Sequence, residues 1–195
     1  MYMDLVFATN NQNKIIEISS IIGDLIPILS LNDIKCFAEI PETGNTLEEN
    51  ALQKARYVFD RYGHNAFADD TGLEIDALDG APGVYTARFA GPNCSPADNI
   101  RKTLQVLSGE TNRKARFRTV IACIIDNTEY LFQGTVYGTI AEEIMGEGGF
   151  GYDPIFIPDG YIQSFAQMTM AEKNRISHRG RATMEFTTFL RGFLK

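Results

Sequence analysis

Two adjacent carboxylates, Asp69 and Asp70, follow the apolar residues 66–68 and precede Thr71. Adjacent carboxylates repel each other unless a cation or hydrogen-bond donors compensate them, so a hard divalent cation such as Mg²⁺ is a natural ligand. Because consecutive side chains of a strand point to opposite faces, one carboxylate can bind metal or activate water while the other supports it. The pattern predicts a catalytic pair at a strand end, with a turn or a helix cap as the simpler alternative.

A polar string, TNNQNK at residues 9–14, follows an apolar segment and precedes isoleucines at helical spacing. Small polar side chains, the backbone amides at a helix start and Lys14 supply the hydrogen-bond donors and positive charge that a phosphate group requires. The string lacks the glycines of a Walker P-loop. It predicts either a phosphate-binding loop or an asparagine-rich turn that caps a helix.

Three glutamates, Glu42, Glu48 and Glu49, lie near Lys54 in the sequence. Asn50 and Lys54 are one helical turn apart and therefore share a face. One of the glutamates could complete a metal site and Lys54 could bind phosphate oxygens, whereas the alternative is solvated helix charge. Glu49 is the expected capping residue, since it lies three positions after a threonine.

Two later segments combine aromatic and charged side chains. Residues 150–154, FGYDP, offer rings that stack on purines and an acid that accepts hydrogen bonds from a base or a ribose. Residues 172–181, EKNRISHRGR, place basic side chains in an otherwise acidic chain. Both segments could bind a nucleotide, and a core, turn or surface role is the alternative. With only two histidines and no obvious nucleophile for either, nothing in the sequence resembles a Ser/His/Asp triad.

Composition excludes several classes of protein. The chain has 195 residues and a net charge of −7, which argues against a general nucleic-acid binder because such a protein needs a basic face. Three widely spaced cysteines without a CxxC pair indicate neither a disulfide framework nor a zinc site. The first residues lack the pattern of a signal peptide, and no long apolar segment is present. We therefore expect a cytoplasmic protein with no membrane partner.

The elements that must position these residues alternate between strand and helix. Thr46 and Gly63 bound a predicted helix over residues 47–62, and Ser95 opens another that runs toward residue 107. Strongly apolar and β-branched segments predict a long hairpin. The C-terminal segment places five apolar residues on one helical face. Further predicted strands cover residues 3–8, 26–31, 66–68, 73–75 and 155–157, and the hairpin covers residues 116–125 and 129–140.

Together these strings closely resemble the inosine triphosphate pyrophosphatase family, the non-canonical purine (dITP/XTP) pyrophosphatases. Six of them follow the family's order and spacing over nearly the whole chain: TNNQNK, ETGNTLEENALQKA, ADDTGL, LDGAPGVYTARFAG, GGFGYDPIF and EKNRISHRG. The resemblance implies a Mg²⁺-dependent hydrolase that converts ITP, dITP and XTP to the monophosphate and pyrophosphate. Asn10 replaces the family's usual glycine, a mild departure because asparagine tolerates left-handed conformations.

The resemblance also implies roles for individual residues. Asp70 would be the base that activates water, and it would bind Mg²⁺ together with Glu42. Asp69, Lys54 and Lys14 would be the other catalytic residues. His178, Arg179 or backbone amides would donate to the purine 6-oxo group and so reject ATP. The substrate-binding residues implied by the resemblance are Thr9, Asn10, Asn11, Gln12, Asn13, Lys14, Thr71, Phe150, Gly151, Tyr152, Asp153, Lys173, His178 and Arg179.

The fold implied by the resemblance is a single α/β domain over residues 1–195. An elongated mixed β-sheet with flanking helices would form two lobes around a nucleotide-binding cleft, and the protein would be a homodimer. Two alternatives remain at this point. One is a Maf-like pyrophosphatase of other modified nucleotides, and the other is a nucleotide sensor without catalytic activity.

Overall fold

The computed structural model describes residues 4–194, which adopt a mixed α/β fold around one sheet. The strands of this part of the chain are β1 (Leu5–Phe7), β2 (Ile28–Leu29), β3 (Ala66–Ile75), β4 (Pro82–Gly83), β5 (Lys114–Ile125), β6 (Thr128–Ile140) and β7 (Phe156–Pro158). The α-helices are α1 (Gln12–Ile22), α2 (Leu47–Tyr62), α3 (Pro96–Val106), α4 (Met170–Ile176) and α5 (His178–Phe193). Single 3₁₀ turns cover Gly23–Leu25, Asp76–Leu78, Thr86–Arg88, Asp153–Ile155 and Phe165–Gln167.

The sheet is mixed, as the sequence predicts. Its strand order is β2-β1-β3-β5-β6-β7, with β4 paired to β3. Strand β1 runs parallel to β2 and β3, whereas β4 is antiparallel to β3 and β7 is antiparallel to β6. The two-residue turn between β5 and β6 has positive φ at Asp126 (49°) and Asn127 (66°), which is the conformation that a tight hairpin turn requires. The predicted long hairpin is therefore confirmed.

Helix α2 has the predicted bounds because both of its ends are capped. The Thr46 Oγ1 accepts from the Glu49 N–H at 3.1 Å, and Gly63 ends the helix in the left-handed conformation. The Glu49 carboxylate accepts from the Asn45 N–H at 2.6 Å, one residue before the N-cap. The predicted N-cap at Thr46 is confirmed, whereas the Glu49 carboxylate binds the residue before the N-cap rather than the N-cap amide that a capping box uses.

Removing the N-cap of α2 should weaken the protein by a modest amount. Thr46→Ala leaves the Glu49 N–H without its hydroxyl acceptor, and we expect a loss of about 1 kcal/mol in the free energy of unfolding. Urea unfolding of the variant and of the wild type measures this difference. A Thr188→Ala variant, which removes an exposed hydroxyl from the middle of α5, is the control. Equal stability of Thr46→Ala and wild type would show that the cap contributes nothing.

The chain divides into two compact units, each with its own apolar core. Unit 1 comprises residues 4–70, 119–134 and 179–194, and unit 2 comprises residues 71–118 and 135–178. In unit 1, Phe67 stacks on Phe7 with ring centroids 4.4 Å apart and also contacts Phe186. In unit 2, Phe156 packs between Phe117 and Phe165. That residues 1–195 form a single domain remains a prediction.

Three expectations about the elements require correction. Two short strands were expected to flank a break at residues 69–72, but β3 is one continuous strand, so the paired carboxylates lie within it rather than at its end. The strand continues because it has partners in the sheet, with β1 and β5 beside it and β4 paired to its second half. The strand expected over residues 26–31 is reduced to two residues. On α5, Phe193 is 42% exposed and Leu194 just beyond it 40%, so the buried face is narrower than predicted.

Within residues 4–194, none of the helices combines the length and the apolar character that crossing a membrane requires.

Candidate active site

The two central carboxylates lie on one strand and contact different side chains. Asp69 is 1% exposed and Asp70 is 8% exposed. Because they are consecutive in β3, their side chains leave opposite faces of the strand. The Phe67 side chain leaves β3 on the same face as Asp69, and Phe67 belongs to the apolar core of unit 1. Asp69 therefore lies on the face of β3 that packs on this core. Each carboxylate therefore acquires its own set of partners.

Asp69 is an ionised acid between two cations. The Lys14 ammonium lies 3.1 Å from its Oδ1, and the Arg179 Nε donates to its Oδ2 at 3.2 Å. Burial alone would raise the pKa of Asp69, but the charges of Lys14 and Arg179 outweigh burial and lower that pKa to about 2. Burial lowers the pKa of Lys14, and Asp69 opposes this effect. Asp69 is therefore an anion at neutral pH that holds Lys14 in place.

Arg179 also binds a buried acid that sequence reasoning missed. Its Nη1 donates to the Glu17 Oε2 at 2.6 Å, and Glu17 is only 6% exposed. Burial would lower the pKa of Arg179, but Asp69 and Glu17 outweigh it and raise that pKa. The available signal was that Glu17 is the one acid of α1 and stands among isoleucines. The resemblance assigned Arg179 to the base or sugar; its guanidinium contacts these two acids, and its role in substrate binding remains a prediction.

The acid stability of the protein should depend on Asp69. Its pKa in the folded protein, about 2, lies below the ordinary value of 3.8, so its stabilisation is fully present above about pH 4 and is lost as the pH falls toward 2. The shift corresponds to about 2 kcal/mol. Urea unfolding at pH 6 and pH 2.5, without metal, should show that the wild type loses about 1–2 kcal/mol more stability than Asp69→Asn, because part of the stabilisation persists until the pH falls below 2. Parallel losses in the two proteins would contradict the assignment.

Asp70 has a different environment, formed by α2. The Asn50 Nδ2 donates to the Asp70 Oδ2 at 3.1 Å, and the Lys54 ammonium lies 3.6 Å from the Asp70 Oδ1. Burial raises the pKa of Asp70, and Lys54 and Lys14 only partly oppose it. The predicted shared face of Asn50 and Lys54 is thus the face that contacts Asp70. Two chemically identical neighbours have pKa values that move in opposite directions.

Lys54 also contacts the second predicted metal ligand. Its ammonium forms a short hydrogen bond to the Glu42 carboxylate, whose side chain is 35% exposed. Burial would lower the pKa of Lys54, but the charges of Asp70 and Glu42 outweigh burial and raise it. Two carboxylates therefore meet at one cation. The described residues contain no cluster of three or more potential ligands, but Mg²⁺ commonly takes one or two protein carboxylates together with substrate phosphates, so this donor pair fits it.

The polar string forms the start of α1. The Asn11 Oδ1 accepts from the backbone amides of Asn13 (3.0 Å) and Lys14 (3.3 Å), and the Thr9 Oγ1 accepts from the Asn11 N–H at 3.2 Å. The capping turn expected as an alternative is therefore present. Residues 10–13 are exposed, and Asn10 is not among the residues with positive φ, so its backbone does not need the freedom of glycine. A phosphate-binding role for this string remains a prediction.

In unit 2, three of the predicted substrate-binding residues form a cluster. The Lys173 ammonium lies 2.6 Å from the Asp153 Oδ2, with both side chains buried, and 4.7 Å from the centre of the Phe150 ring. The same Asp153 oxygen accepts from the Phe150 N–H at 2.8 Å. A Cβ at Gly149 would lie 2.2 Å from that oxygen, so the turn requires glycine there. The cluster combines an aromatic ring, a cation and an acid.

The other predicted substrate-binding residues of unit 2 have contacts or backbone positions of their own. The Tyr152 hydroxyl donates to the Thr86 carbonyl at 3.0 Å, and Tyr152 belongs to the unit 2 core. The His178 ring stacks on Phe117 at 4.5 Å. Gly151 has a positive φ of 61°, and Thr71 is half-buried in β3. Their roles in binding remain predictions.

Comparison with known proteins identifies the family of this chain. A profile of the Ham1 family matches residues 5–189. The chain belongs to the Ham1 family. A dITP/XTP pyrophosphatase of Flavobacterium psychrophilum is 52% identical over 189 residues, which cover 97% of this chain and 100% of that relative. The family resemblance of the sequence is confirmed.

Solved structures of the Ham1 family have the same fold. The structure of a HAM1 protein from Coxiella burnetii matches with a TM-score of 0.91 and 38% identity, and the Ham1 protein of Staphylococcus aureus matches with a TM-score of 0.89 and 39% identity. Each match covers 97% of this chain and 99% of the other. The predicted α/β class with a mixed sheet and flanking helices is therefore confirmed.

Proposed function

We propose that this Ham1 family member hydrolyses the non-canonical purine nucleotides dITP, ITP and XTP to the monophosphate and pyrophosphate. Relatives about half identical over nearly the whole chain are dITP/XTP pyrophosphatases. The observation that carries the proposal is the pair of consecutive buried carboxylates with different partners: Asp69 contacts Lys14 and Arg179, and Asp70 contacts Asn50 and Lys54. Different surroundings allow one acid of a site to stay ionised while the other accepts a proton.

Asp70 is the proton acceptor in this proposal. A carboxylate with an ordinary pKa is a weak base at neutral pH, and burial raises the pKa of Asp70 toward the working range. Its Oδ2 accepts from Asn50, which leaves Oδ1 beside Lys54 as the oxygen on the cationic side. Asp70 takes the proton of a water that attacks the α-phosphorus, and pyrophosphate leaves.

The lysines stabilise the charge that develops on the phosphate oxygens. Lys14 and Lys54 are both largely buried, and ordered cations in such a place cost little reorganisation during the reaction. Asp69 holds Lys14, while Glu42 and Asp70 hold Lys54. The positive end of the α1 dipole adds to this charge, while the Asn13 and Lys14 amides donate to the Asn11 cap.

Glu42 and Asp70 are the residues that would hold Mg²⁺. When bound, the ion supplies positive charge that neutralises the triphosphate and acidifies the attacking water. Lys54 contacts both carboxylates, so it keeps their charges compensated whatever the metal content. The role of Asp69 is to remain charged throughout.

Base recognition is assigned to the unit 2 residues. The Phe150 ring offers a stacking surface, Lys173 pairs with Asp153 beside that ring, and His178 stacks on Phe117. A donor to the purine 6-oxo group accepts hypoxanthine and xanthine, whereas the 6-amino group of adenine sets donor against donor. ATP should therefore be a poor substrate.

The test is pyrophosphate release from ITP, dITP, XTP, GTP and ATP, each with Mg²⁺ and with EDTA. We expect Mg²⁺-dependent release from the first three nucleotides. Binding of ITP without turnover would favour the nucleotide sensor, and cleavage confined to other modified nucleotides would favour a Maf-like activity. Either result would overturn the proposal.

The assembly and the location belong to the same proposal. We expect a homodimer that acts on the free nucleotide pool in the cytoplasm and does not bind nucleic acid, in keeping with a net charge of −7. Light scattering after size exclusion measures the oligomeric state.

A further inference from the structure

The turn that carries Glu42 is held by side chains of α2 through three consecutive backbone amides. The Thr43 N–H donates to the Gln53 Oε1 at 2.9 Å, the Gly44 N–H to the Asn50 Oδ1 at 2.8 Å and the Asn45 N–H to the Glu49 Oε2 at 2.6 Å. Three donors in a row that would otherwise bind water are satisfied by one helix. The position of Glu42 is thereby fixed relative to α2.

Asn50 differs from the other two side chains because it also contacts Asp70. It is 1% exposed, and its Nδ2 donates to the Asp70 Oδ2 at 3.1 Å. The orientation of its amide follows from chemistry: the Gly44 N–H can only donate, so the Asn50 oxygen faces Gly44 and its NH₂ group faces Asp70. Asn50 is thus hydrogen-bonded on both sides in one defined orientation.

Gly44 allows this close approach. A Cβ built on Gly44 would lie 2.6 Å from the Glu49 Cβ and 2.9 Å from the Asn50 Oδ1. A side chain at this position would therefore displace the turn or rotate the amide of Asn50. The glycine follows from the contact and not from an unusual backbone angle.

We propose that Asn50 is a positioning residue: it fixes the Asp70 carboxylate relative to the turn that carries Glu42, so that the two acids have one defined separation. This role rests on the proposed function, in which Asp70 accepts the proton and both acids hold Mg²⁺. Hydrogen-bonding partners of ligating carboxylates orient those carboxylates, and their loss typically costs about 10–100-fold in activity or affinity. A rigid shell of this kind is what a reacting geometry requires.

Gln53 provides a matched control. It lies on the same helix and holds the same turn, but its hydrogen bonds join it to Thr43 rather than to Asp70. If Asn50 acted only by holding the turn, its loss and the loss of Gln53 would have similar consequences. If Asn50 acts by orienting Asp70, the two variants should differ.

The experiment compares Asn50→Ala and Gln53→Ala with the wild type on dITP and Mg²⁺. We expect kcat of Asn50→Ala to fall by about 10–100-fold with KM within about threefold, and Gln53→Ala to stay within about threefold of wild type in both. Amide exchange followed by NMR is a readout independent of turnover. It should show faster exchange at Gly44 in Asn50→Ala and at Thr43 in Gln53→Ala.

A second variant keeps the test valid if Asn50→Ala fails to fold. Asn50→Asp retains an oxygen for the Gly44 N–H but has no amide donor for Asp70, so we expect it to lose kcat while Gly44 stays protected. Equal losses in the Asn50 and Gln53 variants, or normal kcat in both Asn50 variants, would overturn the positioning role alone. Absence of turnover in the wild type would instead overturn the proposed function, and this role with it.

Discussion

Asp70→Asn should lose about 10²–10⁴-fold in the rate of pyrophosphate release, the contribution typical of a positioned general base. The amide has the shape of the carboxylate but accepts no proton from water. Asp70 is largely buried, and Asn50 and Lys54 define the site of its carboxylate, so the variant removes chemistry rather than volume. Its loss should appear in kcat.

The fold of Asp70→Asn should be retained. Burial raises the pKa of Asp70, which means that the charged form is disfavoured where it lies. Neutralising such a group removes a cost, so we expect unfolding in urea at neutral pH to show no loss of stability. Lys54 keeps its contact with Glu42 in the variant.

The measurement is pyrophosphate release from dITP with saturating Mg²⁺, with Asp60→Asn as the control. Asp60 is another acid of unit 1, but it is exposed on α2 and lies 3.8 Å from Arg56. The control should behave as wild type. Turnover by Asp70→Asn near the wild-type rate would remove Asp70 from the catalytic role.

Arg179→Met should lower the free energy of unfolding by about 3–5 kcal/mol, the cost of breaking a buried ion pair from one side. The guanidinium is 2% exposed and binds two buried acids, Asp69 and Glu17. Methionine fills much of the volume but leaves both carboxylates without this cation. Lys14 then remains in contact with Asp69.

The control is an arginine whose ion pair is accessible to water. Arg56 pairs with Glu129 and also donates to Asn127 at 2.7 Å, and its side chain is 30% exposed. Arg56→Met should cost about 0–1 kcal/mol because exposed pairs contribute little. Urea unfolding of both variants gives the comparison. If Arg179→Met lowered the free energy of unfolding no more than Arg56→Met, the buried ion pairs of Arg179 would not stabilise the protein more than an exposed pair does.

A double-mutant cycle separates the two acids that bind Arg179. Glu17→Gln removes one of the buried charges, so Arg179→Met should cost less in that background than in the wild type. The remaining cost is then assigned to Asp69. Equal costs in the two backgrounds would show that Glu17 and Arg179 are not coupled.

The sequence predicted those features that local chemistry decides. The bounds of α2 follow from Thr46 and Gly63, which cap its two ends, and the hairpin follows from two residues that tolerate positive φ. The pairing of Asn50 with Lys54 on one face follows from helix geometry. The family follows from six strings in order.

Features decided by distant partners were not predictable from local patterns. Residues 69–72 have the composition of a turn, yet strand pairing keeps them extended. Glu17 and Arg179 are 162 residues apart in the chain, so no spacing rule relates them. The hydrogen bond between Asn50 and Asp70 likewise joins a helix to a strand. These contacts exist only once the elements have packed.

Asp69 and Asp70 are chemically identical, and the alternation of side chains along β3 places them in different environments. The environment that each aspartate meets depends on whether its position along the strand is odd or even. Deleting Ala68 would shift every later residue of β3 by one position and so move its side chain to the opposite face of the strand. The second aspartate would then meet Lys14 and Arg179, so a chain with an unaltered pair of acids would have lost the carboxylate that we propose as the proton acceptor.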